Sequence, residues 1–490
     1  MSIIDKVRNA MRSFLRIEPA QTAGITIMEQ LDYLSNAAKN RIWYRGNGWE
    51  LSQLYKQIST DRSMFWAAVP TRGMEIRKAH TGIPKLIVDI LTAVVMADMN
   101  DIKLPESLSE RWDSIAKENS FDELISKAVS ETLIIGDGAF KISLDSDISA
   151  QPIIEFYPGD QIELVHRRGR ITEIIFRTVY SENNGNYVLS EHYGFGYVRY
   201  ELTRNERSVP LDILPQTAGL KDVEFDKSVM MAVPVMFYSS GTFEGRGRSL
   251  FDGGKSDSFD ALDEAWSQWL YAVRQSRPMK FLPPNYTPKN PYTGEDMKPN
   301  PFDNIFVESS GIVSETTTQP RPELIQPQIP HESYLATYIT ALDLALQGII
   351  SPSTLGIDVK KLDNAEAQRE KEKTTLYTRN KIVGVLQTVL PKLIQTVFDV
   401  IAVMNNEQPK EIEIEVPFGE YANPSFESQV ETVGKGRTQG IMSIEAAVDE
   451  LYGDTKDNDW KSTEVQRIKA QTGVESMSEP SVNEETNYGL

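Results

Sequence analysis

The sequence predicts an α+β protein, and three changes of hydrophobic period carry that expectation. Up to about residue 135 the apolar residues recur at helical spacing. From Gly136 to about residue 240 they alternate. Beyond residue 255 the helical spacing returns, in stripes long enough for extended helices.

The 490 residues are 40% hydrophobic with a mean hydropathy of −0.36, the profile of a globular chain. Net charge is −19, from 70 acidic against 51 basic residues, which argues against a protein that grips duplex DNA through surplus positive charge. With no cysteine, disulfides, thiolate metal sites and a cysteine nucleophile are excluded. The four histidines, His80, His166, His192 and His331, share no helical or hairpin spacing, so no histidine metal cluster is expected.

In chain order, "MSIIDKVRNAMRSFLRIEP" reads as an amphipathic helix without the apolar core of a signal peptide. "GIPKLIVDILTAVVMADM", Gly82 to Met99, is interrupted by Lys85 and Asp89 and is barely long enough to span a bilayer; a buried core helix is expected, in a protein used inside a cell without a membrane. "ESLSERWDSIAKENSFDELISKAVSETLIIG" adds amphipathic helix. The runs "AFKISLD", "PIIEFYP", "QIELVHR", "ITEIIFRTVY", "YVLSEHY" and "GYVRYELT" are then separated by turn signals at 158–160, 168–170 and 183–186, which predicts an antiparallel meander.

A helix stripe follows through Phe259, Leu262, Trp266, Trp269 or Leu270, and Val273, and stops at Arg277-Pro278. Residues 278–330 are proline-rich with short β-like runs and read as a small insertion. A second stripe runs through Leu335, Tyr338 or Ile339, Leu342, Ala345 or Leu346, and Ile349; each helix is roughly 30 Å long. "ISPSTLGIDVKKLDNAEAQREKEKTT" then forms a loop carrying Lys360-Lys361. A helix of nearly forty residues runs from Ala365 towards Met404, with Pro391 expected to kink it. "EIEIEVPF", Glu411 to Phe418, alternates strictly and predicts a strand. The last seventy residues are helical and acidic, with Ser443 a helix start and the final dozen expected to be disordered.

Several motifs invite chemistry. Gly254-Lys255-Ser256 matches the end of a phosphate-binding loop, but Ser249 stands where that pattern needs glycine; a turn with Ser256 or Asp257 as helix cap is the plainer reading. Asp137 between Gly136 and Gly138 suits a turn or strand start better than catalysis. Asp257, Asp260, Asp263 and Glu264 share one helix and could hold a divalent cation, but a solvated acidic face is the simpler expectation. Trp266 and Trp269 could stack on bases, though their spacing with Leu262 fits packing better. No serine–histidine elbow is present, and neither a catalytic residue, a metal nor a cofactor is expected.

The order of parts, with "ETLIIGDGAFKI" before the meander, "GIISPSTLGID" after the second helix and "NAEAQREKEKTT" opening the long one, resembles the portal proteins of tailed bacteriophages, in particular those of siphophages of Gram-positive hosts. The resemblance implies a ring of identical subunits, usually twelve, at one capsid vertex of the virion, assembled in the host cytoplasm. Double-stranded DNA passes through it without sequence specificity. It also implies docking to terminase, to scaffold or major capsid protein, and later to a head–tail connector. On that mapping residues 1–255 are a wing (helical to 135, meander 136–240), 256–277 and 331–350 a two-helix stem, 278–330 a β-containing clip, 351–364 a tunnel loop, 365–422 a long helix and returning strand, and 423–490 a helical crown and acidic tail. The tunnel loop would present Ser353, Thr354, Asp358, Lys360 and Lys361 to DNA; the two lysines either face the duplex or pair with acidic neighbours. Leu262, Trp266, Trp269, Leu335, Leu342 and Ile349 would pack the stem and ring. Twelve copies would carry 12 × −19 = −228 formal charges, a wall along which phosphates slide. A packaging ATPase or nuclease, or another head–tail adaptor ring, is the alternative.

Overall fold

The computed structural model describes residues 31–58, 64–69, 76–145, 147–182, 185–282, 286–298, 306–308, 323–357, 365–405, 407–419, 426–452 and 458–472. The chain divides into two units, Met1–Phe418 and Gly419–Leu490. The fold is α+β, with eleven helices among the described residues.

The first unit begins with α1 (Tyr33–Arg45), α2 (Gly48–Ile58), α3 (Ile83–Ala97), α4 (Glu106–Glu118) and α5 (Phe121–Ile135). The α1 ends are locally specified: the Asp32 carboxylate accepts the Ser35 amide at 2.7 Å, and Gly46 closes the helix at φ 67°. On α3, Ile83, Ile87, Leu91 and Val95 fall at four-residue spacing, and all are buried, as expected for a core helix.

The alternating region forms two sheets rather than one meander. Strands β1 (Asp137–Ser143) and β2 (Ile153–Pro158) pair with β9 (Ala232–Met236) in the antiparallel order β2-β1-β9. The antiparallel meander proper is β3 (Ile162–Arg167), β4 (Arg170–Glu182), β5 (Gly185–Gly194), β6 (Tyr197–Arg204) and β7 (Arg207–Val209), with β8 (Val223–Glu224) added to β6. Two of the short turns, Arg168-Gly169 and Asn205-Glu206, have paired positive φ angles, the form that matches strand twist, while the turn between β5 and β6 has Gly196 at φ 82°. Lys141 joins the sheets: its buried Nζ lies 3.0 Å from Glu191 on β5 and 2.9 Å from Glu155 on β2. Burial penalises its ammonium, but the carboxylates outweigh that cost and hold its pKa above the usual lysine range.

Helix α6 (Lys255–Gln275) leads into a small sheet of β10 (Met279–Leu282), β11 (Phe306–Glu308) and β12 (Glu323–Ile325), in the order β11-β10-β12. Helix α7 (His331–Leu346) returns, and α8 (Ala365–Met404) runs 40 residues through Pro391. Lys373–Met404 is long and apolar enough to cross a membrane, and half of its most apolar window is buried in the fold. Ile382, Leu386, Leu390, Leu393, Val397 and Val400 join the same core as α3, α5 and the β1 sheet. The expected strand at 411–418 is not a regular strand. Residues 99–103 offer it only two pairing points, Met99 with Phe418 and Lys103 with Glu415, although Ile412, Ile414 and Val416 still turn inward.

The second unit contains α9 (Phe426–Thr438), α10 (Ile444–Tyr452) and α11 (Asn458–Thr472). Ser443 caps α10, accepting the Ala446 amide at 3.1 Å. Tyr452 and Trp460 meet edge to face, and Lys461 pairs with Asp449 at 2.8 Å.

Candidate functional site

Helices α6 and α7 form an antiparallel hairpin. Its direction is read from three contacts: Lys255 at the start of α6 reaches the end of α7, while Trp266 and Trp269 both meet Tyr338 midway, at 5.7 and 6.2 Å between ring centroids. At the far end β10 leaves α6 and β12 enters α7, and these strands pair antiparallel.

The hairpin root is fixed by polar groups. Lys255 Nζ donates to the carbonyls of Leu344 (2.9 Å), Ala345 (3.4 Å) and Gln347 (2.6 Å). Those are orphan acceptors at a helix C-terminus, where a cation is favoured. Burial lowers the Lys255 pKa. The amine that a phosphate-binding loop would aim at nucleotide is therefore engaged within the protein. The helix itself starts at Lys255 with Gly254 in the capping position, so Ser256 and Asp257 lie in its first turn and do not cap it.

The acidic row on α6 corrects the expectation of a solvated face. Asp257 and Glu264 are exposed, but Asp260 and Asp263 are buried. Asp260 accepts the amides of Phe65 (2.8 Å) and Trp66 (3.0 Å). Asp263 accepts the Trp66 indole (3.1 Å) and the Thr81 amide (2.8 Å), and lies 2.7 Å from His80 Nδ1. Ser267 accepts the Ala79 amide at 2.9 Å. Lys78 closes the other side, donating to the carbonyls of Phe65, Trp66 and Ala68. Burial pushes the Asp260 pKa up to about 6, against the lowering effect of the two amides. The polar stripe Asp260, Asp263, Ser267 thus pins segments 64–68 and 78–81 onto the helix. Its three- and four-residue spacing beside Phe259 and Leu262 was the available signal. Among the described residues no cluster of acidic or histidine side chains could hold a metal ion.

The loop after α7 is folded back on α8. The Ser351 amide donates to Thr375 Oγ1 at 2.9 Å, the Thr354 and Thr375 hydroxyls meet at 2.9 Å, and Thr378 Oγ1 donates to the Ile349 carbonyl at 2.6 Å. Amides of Thr354, Leu355, Gly356 and Ile357 close turns on Ser351, Pro352 and Ser353. Of the residues expected to face a channel, Ser353 is exposed with its hydroxyl 2.7 Å from that of Ser351, and the Thr354 hydroxyl is used on α8. Asp358, Lys360 and Lys361 lie outside the described residues. Thr375 closes the charged run that opens α8 and Thr378 follows it by three residues, so by local charge alone both suit a solvated helix face.

The expected stem and ring residues divide along the hairpin. Leu262, Leu342 and Ile349 at its root are buried within the one chain, Trp266 and Trp269 are half-buried against Tyr338, and Leu335 is 44% exposed. The stripe is therefore satisfied internally at the root and left open further out. Asp137 is a buried hub: it accepts from Arg246 (2.7 and 2.9 Å), Tyr33 (2.8 Å) and the Gly247 amide (2.6 Å). That is a structural strand-start role.

No family model matches the chain, and no curated protein matches it. Among solved structures it is similar to a chain of the virion of a native gene transfer agent particle, at 14% identity and a TM-score of 0.39, covering 91% of this chain and 96% of that one. It is also similar to a chain of the neck of a native gene transfer agent particle computed with C12 symmetry, at 12% identity and a TM-score of 0.37, covering 80% and 91%. Likenesses at these scores carry no weight for what this chain does.

Proposed function

We propose that the chain is a portal-type subunit that closes head to tail into a ring around a channel for double-stranded DNA, and that its role is structural rather than enzymatic. The observation that carries this reading is the apolar surface left on the α6–α7 hairpin. Leu335 is 44% and Leu344 53% exposed, nine residues apart on α7 and so on opposite sides of it. Leu344 lines a shallow groove of about 420 Å³ with Ala261, Ala336, Thr340 and Ala341. A head-to-tail ring needs two different surfaces on each subunit, and the hairpin offers one on each side. The internally tied root supplies rigidity, and the β10–β12 sheet at the tip would be the clip that meets motor and connector.

In this reading the loop anchored on Thr375 and Thr378 aims Asp358, Lys360 and Lys361 at the channel, and the negative total charge keeps DNA from adhering. Lys360→Glu with Lys361→Glu is expected to leave rings intact while packaging or DNA retention falls. Unchanged packaging by intact rings would reject the role of the loop.

A further inference from the structure

The β3–β4 hairpin runs past the sheet that holds it. The last pairing of β4 with β5 is Glu173 with Gly194, and β4 extends three residues beyond it to Arg170, about 10 Å. What projects is a two-stranded ribbon closed by the Arg168-Gly169 turn, with a bulge between Val165 and His166 that adds twist at its base. Its tip carries Arg167, Arg168 and Arg170, all exposed and none ion-paired among the described residues. Arg167 and Arg170 are opposed in register as the last cross-strand pair, and Arg168 between them stands at φ 53°. Like charges directly opposed and a left-handed arginine both work against the fold. Elsewhere on these strands the basic groups have partners: Arg177 pairs with Glu163, His192 with Glu173 (3.0 Å) and Arg199 with Glu224 (3.9 Å). Glu244 is exposed beside Gly245, whose backbone abuts the His166 ring, so that acid stands at the base of the ribbon and not at its tip. The tip is thus a local +3 in a chain of net −19.

We propose that this ribbon tip is a contact for the phosphate backbone of duplex DNA, separate from the α6–α7 hairpin and the loop after it. Shape is the first argument. Two strands about 4.8 Å apart form a ribbon roughly 10 Å across with side chains, and the major groove, about 12 Å wide, admits a two-stranded ribbon. Chemistry is the second. A guanidinium stays charged and offers a planar fork that matches phosphate, and the tip sets one on each strand and a third at the turn. An acidic protein surface would also attract arginines, but a projecting ribbon with charge on its end suits a groove walled by phosphates better than a flat face. The other tip residues, Gly169 and Ile171, bring no polar side chain to base edges, so the contact carries charge without reading sequence. Three phosphates are few, so the contact is salt-labile, which agrees with a chain whose total charge does not grip DNA. It is independent of whether the chain closes a ring.

The test is a titration of a fluorescent duplex of about 20 base pairs with the full chain, followed by anisotropy from about 50 to 200 mM salt. Binding is expected at the low end, with about −0.9 of log–log salt slope from each phosphate held by the tip. Arg168→Glu with Arg170→Glu should lower the affinity at least about tenfold and make the slope shallower by about two. Arg167→Gln with Arg170→Gln, a milder change at the same exposed tip, should act in the same direction. Arg177→Glu on β4, and separately Lys360→Glu with Lys361→Glu, should stay within about twofold of wild type, so the tip is told apart from general charge and from the loop after α7. Light scattering should give every variant the wild-type mass. Absence of binding at low salt, affinity unmoved by the tip changes, an equal loss with Arg177→Glu, or displacement of the duplex by poly-glutamate as readily as by unlabelled DNA, which would mark an acidic protein as the partner, would overturn the proposal.

Discussion

Lys255, the first residue of α6, donates its ammonium to the carbonyl of Gln347 at 2.6 Å, just past the end of α7. One side chain thus ties the two ends of the hairpin root together. Replacing it with alanine leaves three carbonyls without that donor and is expected to cost about 1–2 kcal/mol in denaturant unfolding. ATP hydrolysis should be at background before and after the change. Activity lost with Lys255→Ala would restore the nucleotide-binding reading.

Asp137 and Arg246 form an ion pair at 2.7 Å, with the aspartate side chain fully buried and the arginine stacked 3.7 Å from the Tyr33 ring centroid. The backbone is as tight as the charges. A Cβ on Gly136 would meet the Gly247 carbonyl oxygen at 2.5 Å, and Gly136 has φ 122°. Asp137→Asn keeps the shape but strands a buried guanidinium, so a loss of about 3–5 kcal/mol is expected by chemical denaturation. A loss below about 1 kcal/mol would show that water replaces the carboxylate.

Asp260 makes a pH prediction whose sign is unusual for a carboxylate. Its folded pKa, about 6, lies above its ordinary value of 3.8, so the folded state holds the proton more tightly than the unfolded chain. Its contribution is therefore fully present below about pH 3.8 and is lost as pH rises through about 6, by about 3 kcal/mol in total. The stability difference between wild type and Asp260→Asn, followed by Tm from pH 4 to 7.5, should shift in the variant's favour as pH rises. A flat difference would contradict the burial argument.

Thr375→Val removes the acceptor of the Ser351 amide and the partner of the Thr354 hydroxyl. About 1–2 kcal/mol should be lost. Hydrogen exchange at Ser351 should accelerate while exchange in α3 is unchanged. Equal acceleration in both would mean global destabilisation rather than release of the loop.

Much of this fold was legible in residue spacing. The change of period at Gly136, the four-residue rhythm of α3 and the extent of α8 follow directly from burial of one face. What stayed illegible depended on long-range partners. Nothing local says that β1 pairs with β9 some ninety residues later instead of extending the meander. The alternation at 411–418 records a buried face, but a strand also needs a partner long enough to pair with. Asp260 and Asp263 looked like solvated acids because the amides that satisfy them come from residues 65–81, about two hundred positions away. At the loop the sequence marked the positive tip, while the threonines that anchor it were hidden in a charged helix.

The central claim is that one chain leaves apolar hairpin surface which only further copies can cover. The molar mass of the purified full-length chain, measured by light scattering over a range of concentration and salt, tests it most directly. A closed assembly near twelve times 55.3 kDa, about 660 kDa, is expected. A stable, folded 55.3 kDa monomer under every condition would contradict it.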